Sequence, residues 1–128
     1  MPLLKTLVLA YTAAGVNAFA TFPSQEGGAA LPTRFGVEQN YPNPFNGRTI
    51  IRYGLPTRAR VSVTLYNILG ERVKAWPETV REAGSHAVAW DGVSDGGAMA
   101  ASGMYVYVVR ARSGAGEWRA VRKLLLVR

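Results

Sequence analysis

An all-β domain, an immunoglobulin-like antiparallel β-sandwich of about seven short strands, is the fold class this sequence predicts. The run Ala59-Arg60-Val61-Ser62-Val63-Thr64-Leu65-Tyr66 alternates cleanly, with Val61, Val63 and Leu65 on one face and Arg60, Ser62 and Thr64 on the other. A period of two marks a half-buried strand. Turn-forming glycine, proline, asparagine and aspartate recur at short intervals from Asn40 to Gly116. No segment after Ala20 repeats its apolar residues at the period of a helix. With 128 residues, one domain is the default.

Residues 1–20 hold one charge, Lys5, followed by the apolar run Thr6-Leu7-Val8-Leu9-Ala10-Tyr11-Thr12-Ala13-Ala14. Ala18-Phe19-Ala20 then has the small-x-small form of a cleavage site. The segment is expected to be either a secretory signal peptide or a remnant of an upstream region; it is too short for a transmembrane span. Residues 21–33, with Pro23, Gly27, Gly28 and Pro32, form a flexible linker. The folded domain is expected over residues 34–128.

Arg34-Phe35-Gly36-Val37-Glu38-Gln39 reads as either a short first strand or an extended lead-in. In Asn40-Tyr41-Pro42-Asn43-Pro44-Phe45-Asn46 two prolines fix φ and push the residues before them into extended geometry. Helix and central strand are both excluded. What remains is a rigid opening loop whose Tyr41 and Phe45 turn their rings onto a core.

Residues 49–55 are a strand with Ile51, Tyr53 and Leu55 inward, ended by Pro56. After the alternating strand, Asn67-Ile68-Leu69-Gly70 makes a tight hairpin with Gly70 in the left-handed region. Residues 71–76 return antiparallel as far as Pro77, and residues 78–83 are ambiguous, a bulged edge strand being one reading. Residues 85–90 place His86, Val88 and Trp90 on one face. Asp91-Gly92-Val93-Ser94-Asp95-Gly96-Gly97 follows as a turn cluster between two core strands. Residues 104–111 are a long strand and residues 113–116 a hairpin tip. Residues 117–128 are the last strand, with Val121, Leu125 and Val127 alternating against Arg122, Leu124 and Leu126.

Composition removes whole classes of chemistry. There is no cysteine, hence no disulfide framework, no thiolate nucleophile and no zinc–thiolate site. The single histidine, His86, has no nucleophile candidate beside it. Asp91 and Asp95 lack the regularly spaced oxygen ligands of a calcium loop, since Val93 and Gly97 occupy ligand positions; they read as turn-forming aspartates. Gly114-Ala115-Gly116 lies in a hairpin and not between a strand and a helix, which argues against a phosphate cradle. No catalytic residue, metal site or cofactor is expected, and the chain is not expected to be an enzyme. The net charge of +7 comes mainly from arginines scattered along the chain. They read as solvated strand faces, and nucleic-acid binding is not expected.

From Asn40 onward an ordered series of segments resembles the C-terminal sorting domains of the type IX secretion system. The series comprises Asn40-Tyr41-Pro42-Asn43-Pro44-Phe45-Asn46, Thr49-Ile50-Ile51-Arg52-Tyr53 and Val63-Thr64-Leu65-Tyr66-Asn67-Ile68-Leu69-Gly70-Glu71-Arg72-Val73. It continues with Gly84-Ser85-His86-Ala87-Val88-Ala89-Trp90-Asp91-Gly92 and Ala101-Ser102-Gly103-Met104-Tyr105-Val106-Tyr107. It closes with Arg122-Lys123-Leu124-Leu125-Leu126-Val127-Arg128. The central part is also similar to the immunoglobulin-like domain of flagellar hook-capping proteins. That relationship shows in the Leu69-Gly70 hairpin and the Trp90-Asp91-Gly92 turn.

The resemblance implies a non-catalytic module that directs an exported protein from the periplasm through the type IX outer-membrane translocon. The destination is the cell surface or the medium. Implied partners are the translocon, a sortase-like peptidase and, after processing near Arg34, surface lipopolysaccharide. Carried over residue by residue, translocon recognition would fall on Gly103, Tyr105, Lys123, Leu124, Leu125, Leu126, Val127 and Arg128. Tyr41, Pro42, Asn43, Pro44 and Phe45 would form the domain-opening motif. The sequence departs from the pattern in having almost no cargo ahead of the domain.

A different class of function is also consistent with the sequence: a carbohydrate-binding or protein-interaction sandwich. Trp76 and Trp118, near Pro77 and a hairpin tip, are candidates for exposed sugar-stacking rings, whereas Trp90 shares a face with Val88 and reads as core.

Overall fold

The computed structural model describes residues 31–128. Among the described residues seven strands follow one another: β1 (Gly36–Val37), β2 (Thr49–Leu55), β3 (Ala59–Asn67), β4 (Arg72–Arg81), β5 (Gly84–Trp90), β6 (Gly103–Ser113) and β7 (Gly116–Leu126). They form two antiparallel sheets, one of three strands ordered β1-β2-β5 and one of four ordered β4-β3-β6-β7. No helix occurs among the described residues. This is the immunoglobulin-like sandwich class that the alternation predicts. The apolar segment 1–20 and most of the linker lie outside the described residues.

The strands divide between two compact units. One comprises, among the described residues, 31–38, 52–59 and 81–87. Its core is Val37, Tyr53, Leu55 and Ala59, all buried. β1 pairs with β2 here, Val37 standing opposite Tyr53. The rings of Tyr53 and His86 lie 5.6 Å apart between centroids. Burial pushes the Tyr53 phenol above its ordinary pKa, while the charge and a hydrogen bond of Arg81 pull the other way.

The other unit comprises residues 39–51, 60–80 and 88–128. Its centre is the β3–β6 ladder, in which Val61 faces Ala111, Val63 faces Val109 and Leu65 faces Tyr107. All six are buried, as the alternation of β3 requires. β3 and β4 are joined by the expected hairpin. Gly70 sits at φ 82°, and Asn67 Oδ1 accepts from both Leu69 N (2.9 Å) and Glu71 N (3.0 Å). The tip holds Ile68 and Leu69 in solvent, 75% and 77% exposed.

Two expectations are corrected and one open choice is settled. β4 does not stop at Pro77 but runs through it to Arg81. The strand is the outer one of its sheet, where a proline's missing N–H costs no ladder bond. The alternation left the buried face of the last strand open, and the structure selects one: Leu124 and Leu126 are core, whereas Val121, Leu125 and Val127 are exposed. Its register decides this, because Leu124 lies opposite the inward Tyr105. Finally, Phe45 turns onto the core as expected but Tyr41 does not, remaining 74% exposed.

Candidate functional site

The opening loop is built around a buried polar residue. Asn40 donates its backbone N–H to Tyr107 Oη at 2.9 Å, and its Nδ2 donates to Pro42 O at 3.1 Å and to Thr49 Oγ1 at 2.9 Å. Its Oδ1 accepts from Gln39 Nε2 at 2.6 Å, and the Thr49 hydroxyl in turn donates to Pro42 O at 2.8 Å. Buried polar groups are tolerated when their bonding capacity is met, and here it is. Tyr41 and Ile50 exchange backbone hydrogen bonds, both at 3.0 Å, which ties the loop to the start of β2. The Tyr41–Pro42 and Asn43–Pro44 peptide bonds are both cis.

Held this way, the loop lies along the far edge of β7. Phe45 N donates to Leu125 O at 3.0 Å, and Val127 N donates to Phe45 O at 2.9 Å, a short parallel bridge. Asn43 Oδ1 accepts from Leu125 N at 3.0 Å, and Gln39 Nε2 also donates to Lys123 O at 2.6 Å. Beneath the bridge, the buried Phe45 ring packs on Trp90 at 5.6 Å, and Trp90 meets Tyr105 edge-on at 5.4 Å. Such tilted aromatic pairs contribute about 0.5–1.5 kcal/mol each beyond their buried area. Trp90 Nε1 donates to Val93 O at 2.8 Å and Tyr105 Oη donates to Ala101 O at 2.6 Å, so both polar handles are used.

The loop between β5 and β6 reaches the same place. Arg128 Nε donates to Ala100 O at 2.7 Å and its Nη2 to Gly92 O at 2.8 Å, while its backbone N donates to Ser102 Oγ at 2.9 Å. Within the loop, Asp91 Oδ1 accepts from Val93 N at 3.1 Å, the turn-forming role expected of it. Asp95 does something else. Its Oδ2 accepts from Ala75 N at 2.9 Å, and its Oδ1 pairs with Lys74 at 3.3 Å, so it fastens the loop to β4.

Residues singled out as two separate motifs in the sequence therefore form one site. Pro42, Asn43 and Pro44 are exposed beside the exposed Lys123, Leu125, Val127 and Arg128. Phe45, Tyr105, Leu124 and Leu126 are buried beneath them, and Gly103 stands opposite Leu126 in the ladder. Gln39, Asn40, Thr49 and Ser102 also belong to the site. Gln39, Asn40 and Ser102 also take partners as distant in sequence as Lys123, Tyr107 and Arg128, which local pattern does not mark. Trp76 and Trp118 are half-buried, and Lys74 Nζ lies 5.7 Å from the Trp76 ring centroid.

The profile of the FlgD Ig-like domain family matches residues 43–115, more than half of the chain. The chain belongs to the FlgD Ig-like domain family. Solved structures of this FlgD-like fold include dimeric latent PorU from Porphyromonas gingivalis, 19% identical over 73% of this chain with a TM-score of 0.60. FlgD from P. aeruginosa is 22% identical over 61% of the chain, with a TM-score of 0.52. PorZ of P. gingivalis, described as an essential bacterial surface component of the type-IX secretion system, is 23% identical over 73% of the chain with a TM-score of 0.45. The chain spans 9% of the PorU chain, 61% of the FlgD chain and 12% of the PorZ chain. No curated protein matches it.

Proposed function

We propose that this domain is a non-catalytic sorting module, read by the type IX outer-membrane translocon and carried at the end of a protein bound for the cell surface. One observation carries the reading. The domain-opening motif and the basic-apolar last strand, far apart in the sequence, are hydrogen-bonded into one surface through Phe45, Leu125 and Val127. A receptor docking there would meet Pro42, Asn43 and Pro44 together with Lys123, Leu125 and Val127. A sortase-like peptidase would act ahead of the domain near Arg34, which is exposed. Surface lipopolysaccharide is the acceptor in this scheme.

The test is surface display of a periplasmic reporter fused to the full chain in a host with type IX export. Deleting residues 123–128 is uninformative, because Leu124 and Leu126 are core. Outward substitutions such as Lys123→Glu with Leu125→Ser and Val127→Ser avoid that problem. Loss of display with an unchanged unfolding midpoint is expected. Undiminished display would sink the proposal.

A second reading, a protein-interaction domain like that of hook-capping proteins, is favoured by the exposed apolar tip at Ile68 and Leu69. That tip lies within the segment matching the family. Serine at both positions would abolish partner capture under this reading and leave display intact under the first.

A further inference from the structure

β7 is the outer strand of the four-stranded sheet, and among the described residues only part of its far edge is covered. The covered backbone groups are Lys123 O, Leu125 N, Leu125 O and Val127 N, taken by Gln39, Asn43 and Phe45. All of them belong to odd-numbered residues. The register with β6 runs without a bulge from Gly103 opposite Leu126 to Ser113 opposite Gly116, so the parity holds along the whole strand. Arg119 and Val121 therefore also turn N–H and C=O away from β6, and Lys123 its N–H. No group among the described residues covers them.

The side chains of this open edge carry net positive charge, Arg119 and Lys123 outnumbering Glu117. Arg119, Val121, Lys123 and Leu125 share the outer face, and Val121 is 51% exposed. Directly opposite Arg119 stands Arg110. Their pairing is of the non-hydrogen-bonded kind, in which side chains come closest, and like charges placed so repel. Arg112, one step along the same face, is instead held by Glu78 through two hydrogen bonds of 2.9 and 3.0 Å. Arg110 and Arg119 have no acidic partner among the described residues.

We propose that the open edge of β7, residues 117–123, receives an extended acidic segment of a partner protein as an added strand. Backbone bonds to Arg119 and Val121 supply the affinity of such strand addition, and alternate side chains supply its selectivity. The pattern that fits is acidic–x–apolar–x–acidic, with carboxylates facing Arg119 and Lys123 and a small apolar residue facing Val121. A second copy of this chain paired about Val121 does not fit. Antiparallel pairing about Val121 would set Arg119 against Lys123. The inference stands whichever of the two functional readings holds.

The probe is the acetylated peptide Thr-Glu-Thr-Val-Thr-Glu-Thr, titrated into isotope-labelled full-length chain at low salt, with a peptide carrying Lys in place of Glu as control. Shifts at the amides of Arg119, Val121 and Lys123 are expected, with slowed hydrogen exchange at Arg119 and Val121. Val121→Pro removes one outward N–H but no bond to β6, and weakens binding by about tenfold. Arg119→Glu with Lys123→Glu reverses the preference between the peptides, a gain of binding that a misfolded chain does not produce. Equal binding of both peptides, full binding by Val121→Pro, or no shifts at millimolar peptide overturns the proposal. So does selective binding of anionic phospholipid vesicles that Val121→Pro leaves unchanged.

Discussion

Arg128 stands where a side chain on Gly92 would be. Its Nη2 donates to the Gly92 carbonyl at 2.8 Å, and a Cβ added to Gly92 would meet that same nitrogen at 2.8 Å. Gly92 also lies at φ 79°, a region that costs an L-residue about 1–2 kcal/mol. The backbone therefore calls for glycine, and a Cβ here would also push aside the guanidinium tip of the flexible Arg128 side chain.

Gly92→Ala is expected to lower stability by roughly 1–3 kcal/mol, the sum of backbone strain and displacement of Arg128. Once Arg128 is already alanine, only the strain remains. The double variant should be less destabilised than the two singles added together. Urea midpoints of the four proteins measure this, and strict additivity would refute the steric account.

Asn40→Ala should destabilise by about 1–3 kcal/mol, because it strips a bond from the buried Thr49 hydroxyl and frees Gln39 from its anchor. Gln39 also holds Lys123 O, so the loss spreads to the β7 edge. Faster hydrogen exchange at Leu125 and Val127 in the variant is the signature to seek.

The two faces of the last strand should respond differently. Leu126→Ala opens the core and is expected to cost about 2–5 kcal/mol. Val127→Ser, on the outer face, should stay within about 0.5 kcal/mol while lowering surface display of a fused reporter. Equal stability losses would mean that the face assignment is wrong.

Tyr53 gives a signed pH dependence. Its phenol pKa is raised in the folded protein by burial, against the pull of Arg81. Below the unfolded value of about 10 both states hold the proton and stability is unaffected. As pH rises past it the unfolded state releases the proton first, so stability falls until the folded pKa is passed. Tyr53→Phe should flatten the alkaline limb of a stability–pH curve without changing the neutral region's slope.

Strand legibility tracks how one-sided each pattern is. In β3 the small apolar residues occupy one parity and polar ones the other, so Val61, Val63 and Leu65 could be placed inward from the sequence alone. In Leu124-Leu125-Leu126-Val127 both parities are apolar, and local pattern does not choose between them. The β6 ladder chooses, by setting Leu124 opposite the buried Tyr105. Pro77 likewise looks like a terminator until the sheet order places β4 at an edge.

By itself the sequence determined the two-residue periods, the turn chemistry at Asn67 and Gly70, and the two motifs that open and close the domain. These depend on neighbours a few residues away, which is the range over which φ restriction and pleat alternation act. Only the tertiary structure decided that the motifs meet, through Phe45 with Leu125 and Val127 and through Arg128 with Gly92. Backbone hydrogen bonds carry no residue signature, so nothing in the local pattern records which distant strand edge will accept them.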